Sequence, residues 1–204
     1  VIPKIQSKEE RWMTLRIVMA IGLLFLGQLA EAAKDEDLKK LEDILEKKEE
    51  KQITLDLQGA DMRSFNLDHP KDNGRIFKGS IMKKANFSGM TLKDMIFESV
   101  DLEGANFENT RLISVKFVDC HLKDATFKGA TYRYGSFRGS NLQGTSFEGA
   151  ELESLSYSGA ILIDTLFTDA KLFRVSFEHT KEKENVSFES ADLKDCSGTG
   201  FRLF

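Results

Sequence analysis

The chain has 204 residues, 29 Lys plus Arg against 33 Asp plus Glu, and a formal net charge of −4. So even a balance removes the strongly basic face on which nucleic-acid binding depends. From Ile53 onward 22 acids face 19 bases, leaving −3, so no extended acidic surface is written into the composition either.

Residues 1–33 read as a targeting segment. Lys4 to Arg16 lean basic, and Ile17 to Gly27 form an uninterrupted apolar run of 11 before Ala30-Glu31-Ala32-Ala33. A positive start, a short apolar centre and an A-x-A site describe a secretory signal peptide, cut after Ala32 or Ala33, with Met13 a candidate true start. The alternative, an uncleaved membrane anchor, needs about 20 apolar residues. The expectation is therefore an exported, secreted protein, periplasmic or otherwise extracytoplasmic, with no membrane contact beyond this segment.

Residues 34–52 are expected to hold an amphipathic capping helix, from Asp35 to Lys51. Leu38, Leu41, Ile44 and Leu45 make one apolar stripe, with acids early and lysines late as the helix dipole prefers. It would cover the open end of the repetitive region near Leu55 and Leu57; the alternative is a partner-binding helix.

Residues 53–204 form that repetitive region. From Phe77 to Phe177 a bulky apolar residue falls on every fifth position, 21 times without a miss, mostly alternating Phe with Leu or Met. Two residues before each stands a smaller one such as Ala85, Val100, Ala105 or Val115, and the second residue after it is often Gly. Positions two apart on extended chain face the same way, so each unit turns one small and one large side chain inward. A five-residue spacing would instead walk the stripe around a helix. The Phe/Leu alternation sets coil size, because only four units (20 residues) per coil keep each column pure. Phe77, Phe97, Phe117, Phe137, Tyr157 and Phe177 then share one column, and Phe87, Phe107, Phe127, Phe147 and Phe167 the opposite one. The same period puts Lys83, Glu103 and Lys123 in one outer column, Glu108, Lys128 and Glu148 in another, and Lys78 over Glu98.

Ala60-Asp61-Met62, Ala85-Asn86-Phe87, Gly104-Ala105-Asn106-Phe107 and Ala191-Asp192-Leu193 resemble the A(D/N)Lxx unit of the pentapeptide-repeat family. The resemblance runs from about Leu55 onward. It implies an all-β fold, a right-handed quadrilateral parallel β-helix, here with the short N-terminal capping helix. Exported members resemble this layout of signal peptide, short helix and repeats, and the thylakoid lumen is the implied compartment if the source is photosynthetic. Two places depart from the pattern. The segment from Asp68 to Gly74 keeps the ten-residue count between Leu67 and Phe77 but lacks an apolar centre at Asp72, and reads as a loop. Across Thr180 to Asn185 the frame slips by one residue, resuming at Phe188 and Leu193, and a second surface loop is expected. About seven coils and a rod of roughly 35 Å follow from strand spacing.

No residue set converges on chemistry. Lys123, Lys128, Arg133 and Arg138 fall on four different sides, and His69, His121 and His179 share no column. Asp68 to Gly74 has Pro70 and Asn73 where a calcium loop needs other residues. Ser136, Ser156 and Ser176 stack without a base, Asn86 and Asn106 are expected to form an amide ladder, and Cys120 and Cys196 read as separate buried thiols. No catalytic residue, cofactor or metal is expected. The candidate contact surface is Ile161, Ile163, Leu166 and Phe173, outward apolar residues near the far end. Phe201-Arg202-Leu203-Phe204 is expected to close the coil end, with end-to-end pairing of two molecules as the alternative. The functional expectation is a non-enzymatic exported scaffold or protein-protein interaction module, a monomer or end-to-end dimer, whose protein partner the sequence does not name. The alternative is a DNA-mimic, topoisomerase-protecting protein, which some family members resemble.

Overall fold

Each five-residue unit becomes a short extended triplet followed by a sharp turn. Triplets such as Thr91–Lys93, Ile96–Glu98 and Arg111–Ile113 bury their central residue and leave its neighbours half-buried or exposed. The second residue after each centre enters the left-handed region, at φ +65° for Gly104 and +52° for Asp119. Gly, Asp, Asn and Ser dominate these corners because they tolerate that conformation, by lacking Cβ or by bonding locally. The computed structural model describes residues 35–44, 52–64 and 76–198. The segment 1–33, the loop 68–74, the helix beyond residue 44 and residues 201–204 lie outside the described residues.

Four such units make one turn of a parallel β-helix. Phe77 pairs with Phe97 and Phe97 with Phe117, Leu92 with Leu112, Asp101 with His121 and Asn106 with Thr126, a period of 20 residues on every wall. We call the walls first to fourth by their centres at Phe77, Met82, Phe87 and Leu92. Backbone groups bond both ways along the axis: Asn106 N–H donates to Ala85 O at 2.9 Å and Phe107 N–H to Thr126 O at 2.8 Å. Short turn bonds close the corners, as from Ala105 N–H to Leu102 O at 3.0 Å.

The core is the set of columns anticipated from the alternation. Phe87, Phe107 and Phe127 stack at 4.7 Å between ring centroids, tilted by 1° and 3°. Rings of the first and third walls meet edge to face, as Phe107 and Phe117 do at 5.6 Å and 80°. Offset stacks and edge-to-face pairs are the geometries that the ring quadrupole favours. Tyr132 stands in a leucine column and is accommodated locally. Its hydroxyl donates to Val115 O at 2.7 Å and accepts from Ser136 N–H at 3.1 Å. Gly135 holds the small inward position beside it because a Cβ there would overlap the Tyr132 ring. Tyr157 has no such arrangement, and its buried hydroxyl finds no partner among the described residues.

The ends depart from the sequence expectation. Asp56 pairs with Ile81 and Asp61 with Asn86, a 25-residue offset. One whole unit of chain between Met62 and Ile76 therefore leaves the wall, which reduces the expected seven coils to about six turns. Phe77 sits only 24 residues above Ile53, so that first corner is one residue tighter. Ser80 Oγ braces it, accepting from Leu55 N–H at 3.0 Å and donating to Ile53 O at 3.2 Å. The frame slip after Thr180 is not a surface loop. Glu182–Glu184 is a strand paired with Ile161–Ile163, and Lys181 is absorbed where its N–H and that of Glu182 both reach Ala160 O, at 2.9 and 3.5 Å. Residues 35–44 are helical. Leu41 is fully buried, Leu38 and Ile44 pack against the core, and Asp37 accepts a bond from Asp56 N–H at 2.9 Å. The helix covers the first coil.

Two substitutions test this packing. Phe127→Asp places a carboxylate between Phe107 and Phe147 and should abolish cooperative melting by circular dichroism, a loss above about 4 kcal/mol. Tyr157→Phe deletes a buried unbonded hydroxyl and should raise stability by about 1 kcal/mol in urea unfolding.

Candidate interaction surface

Outward residues flank each inward centre, so every wall carries two parallel columns of exposed side chains about 4.8 Å apart per rung. Charges of opposite sign bridge rungs in them. Lys78 Nζ lies 2.8 Å from Glu98, Lys83 Nζ 2.8 Å from Glu103 and 3.3 Å from Asp101, and Lys128 Nζ 2.7 Å from Glu148. Glu103 and then Asp101 raise the Lys83 ammonium pKa, and in return Lys83 lowers that of Glu103. Arg63 holds Asp61 down to about 2 through a paired hydrogen bond. These pairs are solvent-exposed and each contributes roughly 0–1 kcal/mol.

Several polar residues are used by the fold itself. The side-chain oxygens of Asn86 and Asn106 accept from the N–H two residues on, at 3.1 and 2.8 Å, which makes them turn braces where an amide ladder was anticipated. Ser136, Ser156 and Ser176 do the same at 3.0, 3.4 and 3.3 Å. Among the described residues no group of three or more His, Cys, Asp or Glu is placed to hold a metal ion. No described helix is long and apolar enough to cross a membrane.

The four anticipated contact residues divide. Ile161 and Ile163 flank Leu162 on the second wall, and Leu166 follows across one corner on the third wall, 40% exposed between Ser146 and Ser187. Phe173 lies on the fourth wall, opposite the isoleucines, so it is not part of their patch. It belongs instead to a groove of about 310 Å³ on that wall. The floor is backbone at Leu152 and Leu172, whose side chains point inward. One bank carries Glu151, Lys171 and Asp192, and the other Arg133, Glu153, Phe173 and Lys194. Across rungs Arg133 Nε reaches Glu153 at 3.1 Å and Lys171 Nζ reaches Glu151 at 3.1 Å. The Arg174 guanidinium sits 4.6 Å over the Phe173 ring, a cation–π contact at the groove rim. Sequence reading did not bring out this groove, because it appears only when Asp192 is aligned with Lys171 across the 21-residue coil. It also missed Tyr134, 57% exposed at a corner with φ +59°; an aromatic at a turn position was the available signal.

Both cysteines are free. Cys120 is buried on the Phe97 carbonyl, 3.2 Å from Sγ, and desolvation pushes its thiol up to about 12. The native state thus keeps a proton that the unfolded chain releases above pH 9, the ordinary thiol value. Stability from this group is whole below pH 9 and falls as pH rises toward 12, by about 1.4 kcal/mol per unit. Urea unfolding between those limits should show that slope, and Cys120→Ala should reduce it by the same amount.

Residues 75–147 match the family model of the pentapeptide repeat region. No curated protein gives a significant match. Among solved structures the chain is similar to full-length QnrB1, a plasmid-mediated fluoroquinolone resistance protein, at 18% identity over 66% of this chain and 81% of that one, with a TM-score of 0.38. Rfr23, a pentapeptide repeat protein from the cyanobacterium Cyanothece, is 19% identical over 64% of this chain and 65% of that one, with a TM-score of 0.33. HetL, a pentapeptide repeat protein involved in heterocyst differentiation regulation in the cyanobacterium Nostoc, is 17% identical over 72% and 84%, with a TM-score of 0.20. With the family match lying on four-walled coils of 20 residues, the chain belongs to the pentapeptide-repeat proteins.

Proposed function

We propose that this chain acts as a rigid, non-enzymatic scaffold that docks a protein partner in the groove of its fourth wall, and that it does so after export. The groove carries the reading. It lies on a six-stranded parallel sheet, running from Thr91–Lys93 to Asp192–Lys194, so its banks are held in fixed register. It offers one aromatic anchor, Phe173, among alternating acids and bases. Interfaces take most of their energy from such anchors, and paired charges around them set orientation. Among the described residues no acid, base and nucleophile converge, which supports binding over catalysis. Export rests on the pattern in residues 1–33.

A topoisomerase-protecting DNA mimic would need a continuous acidic face. The walls alternate in sign instead, with Lys83 beside Asp101 and Glu103 and Lys128 beside Glu148. That electrostatic pattern favours the scaffold.

The test is proximity labelling in the native compartment with wild type, Phe173→Asp and Leu166→Asp. Phe173→Asp should melt normally and lose its labelled partner by at least about tenfold, while Leu166→Asp on another wall keeps it. Equal labelling by all three would refute docking in this groove. Recovered protein should begin near Ala33 or Lys34, and it should not protect gyrase from a quinolone in a supercoiling assay.

A further inference from the structure

The far end of the described solenoid is built asymmetrically. Its last inward centres are Lys183, Phe188, Leu193 and Gly198 on the second, third, fourth and first walls. On the second wall the strand Glu182–Glu184 is exposed throughout, with Lys183 in the column that holds Leu162 one turn below. A charged edge strand with an inward-set lysine resists addition of a further strand. The third and fourth walls end on apolar ground, where Val186, Phe188, Leu193 and Cys196 are only partly buried yet pack against the core.

The first wall ends differently again. Regular pairing continues to Ser197, which donates to Val175 O at 2.9 Å and accepts from Phe177 N–H at 2.8 Å. Gly198 then breaks away at φ +118°. A Cβ on it would stand 2.7 Å from the carbonyl carbon and Cβ of Phe177, whereas a regular rung stands about 4.8 Å above the one beneath. The chain therefore presses down onto Phe177 and heads across the end of the core, at a position only glycine can occupy. Thr199-Gly200-Phe201-Arg202-Leu203-Phe204 complete the chain. Three extended residues reach about 10 Å, far enough to bring Phe201 from the first wall over the middle of the coil.

We propose that residues 199–204 are the cap of this end, folding across the last coil from the Gly198 turn so that Phe201 and Leu203 cover Phe188 and Leu193. The occupant is the chain's own segment and not a second copy. The turn at Gly198 already directs the segment there, and the charged second-wall edge disfavours stacking of two ends. The far end is thereby sealed by aromatics on two walls and by charge on a third, as the helix 35–44 seals the near end.

The protein carries its own reporter. Cys196 lies beside the proposed cap, two residues before Gly198, while Cys120 is deep in the solenoid. Labelling by a soluble disulfide reagent should be slow at both thiols in the wild type. Phe201→Asp should raise the Cys196 rate by about tenfold or more while Cys120 stays protected, as local opening requires. Gly198→Ala should do the same, because its Cβ forces the segment off Phe177. Unchanged Cys196 labelling in both variants would overturn the proposal. So would a wild-type dimer in sedimentation that Phe201→Asp converts to monomer, since a second copy would then be the cover. If Phe201→Asp unfolds the whole chain and exposes Cys120 as well, Phe201→Leu decides: it must fold and keep Cys196 slow, and fast labelling there also refutes the cap.

Discussion

The structure depends on one constraint: a side chain in the core must meet its own kind one turn above and below. Phe stacked on Phe at 4.7 Å fills the same cross-section on every rung, and the leucine columns fill the remainder. A ring over an aliphatic residue would leave a void on one rung and a clash on the next, both costly in a close-packed interior. The backbone ladder and the left-handed corners follow from it, because a constant column requires a constant turn. Sixteen residues other than glycine hold positive φ among the described residues, most of them Asp, Ser or Asn. That conformational cost is distributed around the helix and offset by burial at each rung.

Where a residue breaks the column, the chain compensates within a few positions. Tyr132 brings extra volume and a hydroxyl into a leucine column; Gly135 vacates the space and Val115 O takes the proton. Lys181 is an extra residue, and the two N–H groups converging on Ala160 O let the wall continue. Such repairs are local because each rung contacts only its neighbours, as in other solenoids. Tyr157 shows the limit, since its ring stacks on Phe137 and Phe177 while its hydroxyl gains nothing among the described residues.

A solenoid that spends its inward residues on packing leaves recognition to the outward columns. Their side chains stand at fixed spacing on an unbending sheet, so a partner meets a preformed surface and binding needs little ordering of this chain. The ion pairs between rungs hold Arg133, Glu153, Lys171 and Glu151 as banks around Phe173. The two ends need separate treatment, because only there do strand edges and core meet solvent.

The period of five and the Phe/Leu alternation determined the walls, the 20-residue turn and the inward set from the sequence alone, since hydrophobic spacing along a chain maps directly onto facing in a strand. The outer columns around Lys83 and Lys128 were legible for the same reason. Tertiary structure decided what a period modulo five cannot express. A unit in the wall and a unit looped out between Met62 and Ile76 have the same count, so only pairing of Asp56 with Ile81 tells them apart. The slip at Lys181 looked like a loop because a missing apolar centre was read as a missing strand, whereas backbone hydrogen bonds are indifferent to the side chain they carry. The groove at Phe173, and the distance of that residue from Ile161, came from neighbours on successive coils, which adjacency in sequence does not record.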